Sequence, residues 1–252
     1  MRTQKQANTL TNNDDHLTLP SKYDHHAYDA LENQDMPQDL QDEGQHFLAT
    51  TDPELARWMR HIGPLALPTA STDSPYAALL RAIAHQQLHA RAAQSLLARL
   101  AELAATSCPD PQQLLRYSDA ELRACGFSAG KVAALRDLAQ HTLAGLVPDR
   151  QRALTLSDAE LIASLTQIRG IGRWTVEMML IQTLGRRDVL PVDDLGIRRG
   201  YGILHRLEQA PTPRQLALAG SRYAPWRSLA SLYLWRISDA RSAPPDLDQA
   251  GG

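Results

Sequence analysis

Leu165-Thr-Gln-Ile-Arg-Gly-Ile-Gly-Arg-Trp-Thr-Val176 is the stretch from which the rest of this 252-residue chain can be read. A helix ends near Gln167, Gly170 and Gly172 supply backbone freedom for a tight turn, and a second helix starts at about Arg173. With no side chains in the way, the amides of Gly170, Gly172 and Arg173 can approach a phosphate. The positive end of the second helix assists, and Arg173 adds a full charge. The alternative is a plain helical corner in which two glycines only permit close packing, and Ile168 and Ile171 read as core in either case. Gly-Ile-Gly between two helices, followed by Arg-Trp-Thr, favours a DNA-binding hairpin.

Working outward, helix signals repeat. Asp52 can cap a helix with Pro53 at its first position, and Ser74-Pro75 precedes an apolar run. Ser118 with Glu121 and Ser157 with Glu160 have the spacing of capping boxes, in which hydroxyl and carboxylate reciprocally satisfy free backbone amides. Ser128 caps a helix whose Val132, Leu135, Leu138 and Leu143 fall on one face. Further helices are expected over about 173–184, 194–207, 212–220 and 225–240, with short connections. The fold class is all-α.

Composition sets the frame. Residues 1–50 carry three basic and nine acidic side chains, a net of −6, which leaves +4 for the remainder. Residues 1–45, rich in Asn, Asp, Gln and Thr, read as a disordered acidic tail, with order beginning near Asp52, and 241–252 read as a frayed end. The mildly basic remainder suits a phosphate-bearing partner. Two cysteines, Cys108 and Cys125, point to a reducing compartment, and no apolar run approaches the ~20 residues of a membrane span. The expectation is a cytoplasmic monomer.

Downstream lies Asp188-Val-Leu-Pro-Val-Asp-Asp-Leu-Gly-Ile-Arg-Arg-Gly200. Pro191 closes one segment, and Asp193 or Asp194 falls at the start of the next helix, whose dipole favours the ionised form by about 0.3 to 1 kcal/mol. A carboxylate kept charged beside a DNA-bound hairpin is a candidate for chemistry.

These stretches, with Pro225-Trp-Arg-Ser-Leu-Ala-Ser-Leu-Tyr-Leu-Trp235-Arg and Ala84-His-Gln-Gln-Leu88, resemble the 3-methyladenine-DNA glycosylase II family of the helix-hairpin-helix glycosylase superfamily, over about residues 52–240. The resemblance implies two helical subdomains with a DNA cleft between them. One joins residues 46–75 to 205–240, and the other is a helical barrel over 76–204 that ends in the hairpin. It implies a base-excision repair enzyme acting on double-stranded DNA that contains alkylated bases. By position the catalytic aspartate is Asp194, and Asp193 reads as the N-cap. Asp194 would stabilise the positive charge that builds on the sugar as the N-glycosidic bond breaks, and could orient water. Relatives that also nick the strand place a lysine where this chain has Trp174; an indole cannot form a Schiff base, so no lyase step is expected. Without a four-cysteine loop there is no iron-sulfur cluster, and no cofactor is implied beyond an optional Na+ or K+ on the carbonyls of Thr166, Ile168 and Ile171.

A glycosylase must also turn its target out of the stack. Gln86-Gln87-Leu88-His89 resembles the wedge loop of the family, with Gln87 or Leu88 as the inserted residue and Gln87 or His89 facing minor-groove acceptors; the plain reading makes Leu88 core. Trp174 and Trp235 align with pocket aromatics, on which a cationic base would stack. Trp226 is a weaker candidate, Tyr233 reads as packing, and Arg198 and Arg199 are either phosphate contacts or a solvated face. The missing N-terminal sheet domain of some relatives suggests an open pocket, admitting 1-methyladenine and 3-methylcytosine besides 3-methyladenine and 7-methylguanine. A non-catalytic hairpin module or a helical protein-interaction domain would need no such combination of Asp194, Trp174 and Trp235.

Overall fold

The computed structural model describes residues 38–68 and 70–240, and every regular element among them is helical. The order is α1 Gln38–Thr51, α2 Pro53–Ile62, α3 Pro75–His85, α4 Ala90–Ala104, α5 Pro111–Arg116, α6 Asp119–Ala124, α7 Ala129–Leu143, α8 Arg150–Thr155, α9 Asp158–Leu165, α10 Arg173–Gln182, α11 Leu195–Leu204, α12 Pro213–Ala219 and α13 Arg227–Asp239, with a 3₁₀ turn at Gly220–Tyr223. No helix among the described residues is long and apolar enough to cross a membrane.

Local chemistry starts these helices where it was expected to. Asp52 accepts from the Glu54 and Leu55 amides, Ser74 from Ala77 and Ser128 from Lys131. The boxes at Ser118–Glu121 and Ser157–Glu160 are closed in both directions, and a third, Thr212–Gln215, opens α12. On α7, Val132, Leu135 and Leu138 are buried, but Leu143 at its last residue is half exposed and leaves the expected face.

The polar N-terminal stretch is corrected over its last residues. Order begins by Gln38, not near Asp52, because α1 buries Leu48 completely and lays Gly44 on the indole of Trp226. A Cβ at Gly44 would come within 2.7 Å of that ring, so a small residue here, together with Phe47 and Leu48, seats the helix. The acidic tail over residues 1–37 and the end over 241–252 lie outside the described residues.

Two sets of helices pack around one continuous core. In one, α13 takes α11, α2, α1 and the 3₁₀ turn against it; in the other, α3 and α7 hold α4, α5, α6 and α10, and α9 lies on α10. The sequence reading grouped residues 195–204 with the barrel, yet α11 packs chiefly on α13, because Gly200 lets the two backbones touch.

Asp52 ties the first set together. Besides capping α2, its Oδ2 accepts from Tyr223 Oη at 2.5 Å and Arg222 Nη2 at 2.9 Å, with His205 Nε2 at 3.3 Å. Burial alone would raise this carboxyl, but the bonds from His205, Tyr223 and the Leu55 amide, with the Arg222 charge, hold it well below the usual carboxylate range. A depressed folded-state value contributes stability that is present above the unfolded carboxylate range and is lost as pH falls through and below it. Asp52→Ala is expected to cost about 3 kcal/mol at pH 7, since a capped, buried ionic group is removed. In urea melts between pH 7 and 3, the gap between wild type and variant should hold down to about pH 4 and only begin to narrow below it, because the folded-state carboxyl titrates still lower; a gap already lost by about pH 5 would contradict this account.

Candidate active site

The hairpin forms as its glycines require, though they act differently. After α9, Ile171 N–H closes a turn on Ile168 O at 3.0 Å, and Gly170 takes φ +79°, a conformation that side chains disfavour. Gly172 has φ −93°, open to any residue, so the reading that it supplies backbone freedom is corrected. A Cβ there would meet nothing within 4 Å, and its absence leaves the first amides of α10 uncovered. Ile168 and Ile171 are core. The turn is braced from both sides: Asp137 Oδ2 accepts from Arg169 N–H at 2.7 Å, and Gln86 Nε2 donates to Gly170 O at 2.7 Å.

The chain from Pro191 turns sharply, with Asp194 N–H on Pro191 O at 3.1 Å, and this delivers Asp194 to the start of α11. Asp194 itself is the N-cap, accepting from Ile197 N–H at 2.9 Å, whereas Asp193 is exposed; the N-cap assignment to Asp193 is thereby overturned. Asp194 is 3% exposed, and two indoles also donate to it. Trp174 Nε1 donates to Oδ2 at 2.6 Å and Trp235 Nε1 to Oδ1 at 3.0 Å. Trp174 is the second residue of α10, so the carboxylate is tied directly to the hairpin helix. Both tryptophans therefore converge on Asp194.

The loop between α3 and α4 and the remaining candidates separate clearly. Gln87, exposed and at φ +58°, forms the tip between α3 and α4, with His89 exposed beside it, while Leu88 packs against the core. Trp226 is buried under the Arg187 guanidinium, 4.9 Å from its ring centroid, and is not a pocket residue. Tyr233 packs, its hydroxyl accepting from Leu65 N–H at 3.0 Å. Arg198 Nη1 reaches Pro211 O at 3.3 Å, while Arg199 is exposed along a shallow groove of about 320 Å³ that begins at Leu195 and Gly196.

Three residues escaped the sequence reading. Gln86 was quoted only as part of the loop, and its bond to the hairpin is not encoded locally. Lys131 donates to Ala84 O at 2.6 Å and so holds the end of α3 from which the loop departs. Glu177 is buried and accepts from Arg173 Nε at 2.8 Å; burial pushes its carboxyl up to about 7 against the Arg173 charge and bond, and Asp193 and Asp194 add to the rise. The i,i+4 spacing hinted at the ion pair, but nothing local marks the burial.

A glycine-turned hairpin with its amides uncovered, joined through an indole to a buried aspartate, is the arrangement of the helix-hairpin-helix class of DNA-binding proteins. Residues 80–225 match the model of the HhH-GPD superfamily of base excision DNA repair proteins, and the chain belongs to that family. It is 46% identical to DNA-3-methyladenine glycosylase 1 of Schizosaccharomyces pombe over 65% of this chain and 72% of that one. It is 32% identical to DNA-3-methyladenine glycosylase 2 of Escherichia coli over 59% of this chain and 50% of the other. Among solved structures, the S. pombe 3-methyladenine DNA glycosylase in complex with abasic DNA superposes with a TM-score of 0.71 at 39% identity, covering 79% of this chain and 98% of that one. A DNA-3-methyladenine glycosidase from Bacillus halodurans gives 0.69 at 30% identity, covering 82% and 91%.

Proposed function

We propose that this protein is a monofunctional DNA glycosylase that flips alkylated bases out of double-stranded DNA and hydrolyses their N-glycosidic bonds. The observation that carries the reading is Asp194, buried at the head of α11 with an indole N–H on each oxygen, one of them from the hairpin helix. The relatives named as 3-methyladenine glycosylases support the same reaction class.

The geometry suits the chemistry. As the glycosidic bond lengthens, positive charge develops on the sugar, and a carboxylate held by fixed dipoles in a dry site stabilises it without reorganising. The same carboxylate can accept a proton from the attacking water. Trp174 and Trp235 hold Asp194 through their N–H edges, and an indole ring beside the carboxylate would be the surface on which a cationic, electron-poor base stacks. Gln87 at the loop tip would fill the gap left in the duplex, and the amides of Gly170, Gly172 and Arg173 would hold the strand. The Thr166, Ile168 and Ile171 carbonyls, neutral oxygens with no carboxylate among them, suit a monovalent cation, which would add positive charge beside the bound phosphate. With Trp174 in place of an amine, strand cleavage is not part of the reaction. The protein would act as a monomer, and its two free cysteines suit the cytoplasm.

A panel of duplexes bearing 3-methyladenine, 7-methylguanine, 1-methyladenine or 3-methylcytosine tests the reading. Free base should be released, strands should break only after alkali, and borohydride should trap no protein–DNA adduct. Release of 3-methyladenine alone would remove the broad lesion range, and release of no base would remove the enzymatic assignment.

A further inference from the structure

Glu177 lies one turn along α10 from both Arg173 and Trp174, with its side chain 2% exposed. Oε1 accepts from Arg173 Nε at 2.8 Å, and Oε2 has no hydrogen-bond partner. A buried anionic oxygen without a donor is costly, so this carboxyl depends on the one guanidinium beside it. Arg173 is the first residue of α10, next to the hairpin amides, and its side chain is 56% exposed. Its Nε is turned inward on Glu177; among the described residues its Nη1 and Nη2 edge carries no hydrogen bond within the protein.

We propose that Glu177 is a positioning residue that aims the outer edge of Arg173 at the phosphate held by the hairpin, and that Glu177 takes up a proton from solvent as the phosphate docks. This rests on the DNA-binding reading above. A second anion on the same guanidinium must share its charge, and the carboxylate lacking a donor at Oε2 is the one neutralised. The charged groups acting on Glu177 are Arg173 from its own helix and Asp193 and Asp194 from the segment before α11. Arg81 and His85 of α3 and Asp158 and Glu160 of α9, the helices packed on α10, are not among the groups that shift it. Its position near neutrality means that a modest change in surroundings moves the proton. The sign follows: an added anion raises a carboxyl, the bound state holds more protons, and binding tightens as pH falls through the neutral range.

The test is fluorescence anisotropy on an undamaged duplex from pH 8.5 to 6.5 at constant ionic strength. Wild type should tighten about fivefold more over this range than Glu177→Gln, which keeps an acceptor for Arg173 but cannot titrate. Histidines elsewhere contribute a background common to both. Arg173→Gln, at an exposed position and with an amide that can still donate to Glu177, should bind more weakly and show the same flattened dependence, because Glu177 then stays protonated throughout. Equal pH dependence in all three proteins overturns the proposal, and if Glu177→Gln fails to fold, Arg173→Gln against wild type decides it. Should wild type show no salt-sensitive DNA binding at all, the functional reading falls first and takes this inference with it.

Discussion

Asp194→Asn is expected to lower base release by about 100- to 1,000-fold, the loss typical when one charge-stabilising group is removed from a preorganised site. DNA binding should stay within a few-fold of wild type. The substitution is close in shape, and an amide oxygen can still cap α11 and accept from Ile197 N–H and Trp235 Nε1. What changes is the other atom. The new NH₂ group would face Trp174 Nε1, donor against donor, at a contact that is now 2.6 Å, and the negative charge that answers the developing cation is gone. Stability should fall by no more than about 1 to 2 kcal/mol, because one buried bond is lost while the cap survives. Asp193→Asn is the control: exposed and outside the hydrogen bonds that hold Asp194, it should release base within about twofold of wild type. Single-turnover release of 7-methylguanine measures both. Full activity in Asp194→Asn would leave the protein a DNA-binding hairpin without the proposed chemistry.

What could be read in the sequence follows the range of the interactions. Capping boxes lie within three residues, so Ser118, Ser157 and Asp52 announced their helices before any tertiary contact was known. The hairpin was legible for the same reason, since a positive φ at Gly170 is a local demand. α1 was not, because what orders it is the seat of Gly44 on Trp226, far away in the chain, and its own residues look polar. The Asp193–Asp194 pair marked the right place, but the division of roles needed the turn that puts Asp194 N–H on Pro191 O; that turn makes one residue both cap and buried carboxylate. Trp174 and Trp235 were visible as aromatics, yet their N–H groups meet on one side chain only after α10, α11 and α13 have packed. Glu177 was invisible as a buried acid because the same residue type four positions after an arginine is ordinarily a solvated pair.

The contact between α11 and α13 is where fold and site are most tightly coupled, and Gly200→Ala should show it. An added Cβ would lie 1.9 Å from the carbonyl oxygen of Leu234 and 2.7 Å from its carbon, both backbone atoms that no rotamer change can move. The helices must separate by an ångström or more, and the interface opens around Tyr201, Leu204, Leu234 and Ile237, all buried. The expected cost is about 3 kcal/mol, the upper range for overpacking, and melting should fall by about 6–12 °C for a fold of this size. Leu234 immediately precedes Trp235, and Gly200 is on the helix that Asp194 caps, so the same displacement stretches the 3.0 Å bond between that indole and the carboxylate. Activity per folded molecule should therefore fall as well, by about tenfold, even well below the melting temperature. Gly130→Ala offers the contrast: a Cβ there would meet nothing within 4 Å, and both melting and base release should match wild type or better it slightly. A Gly200→Ala protein with wild-type melting and turnover would mean that α11 is not fixed against α13 by this contact, and the coupling between the backbone at Gly200 and the carboxylate at the head of the helix would have to be abandoned.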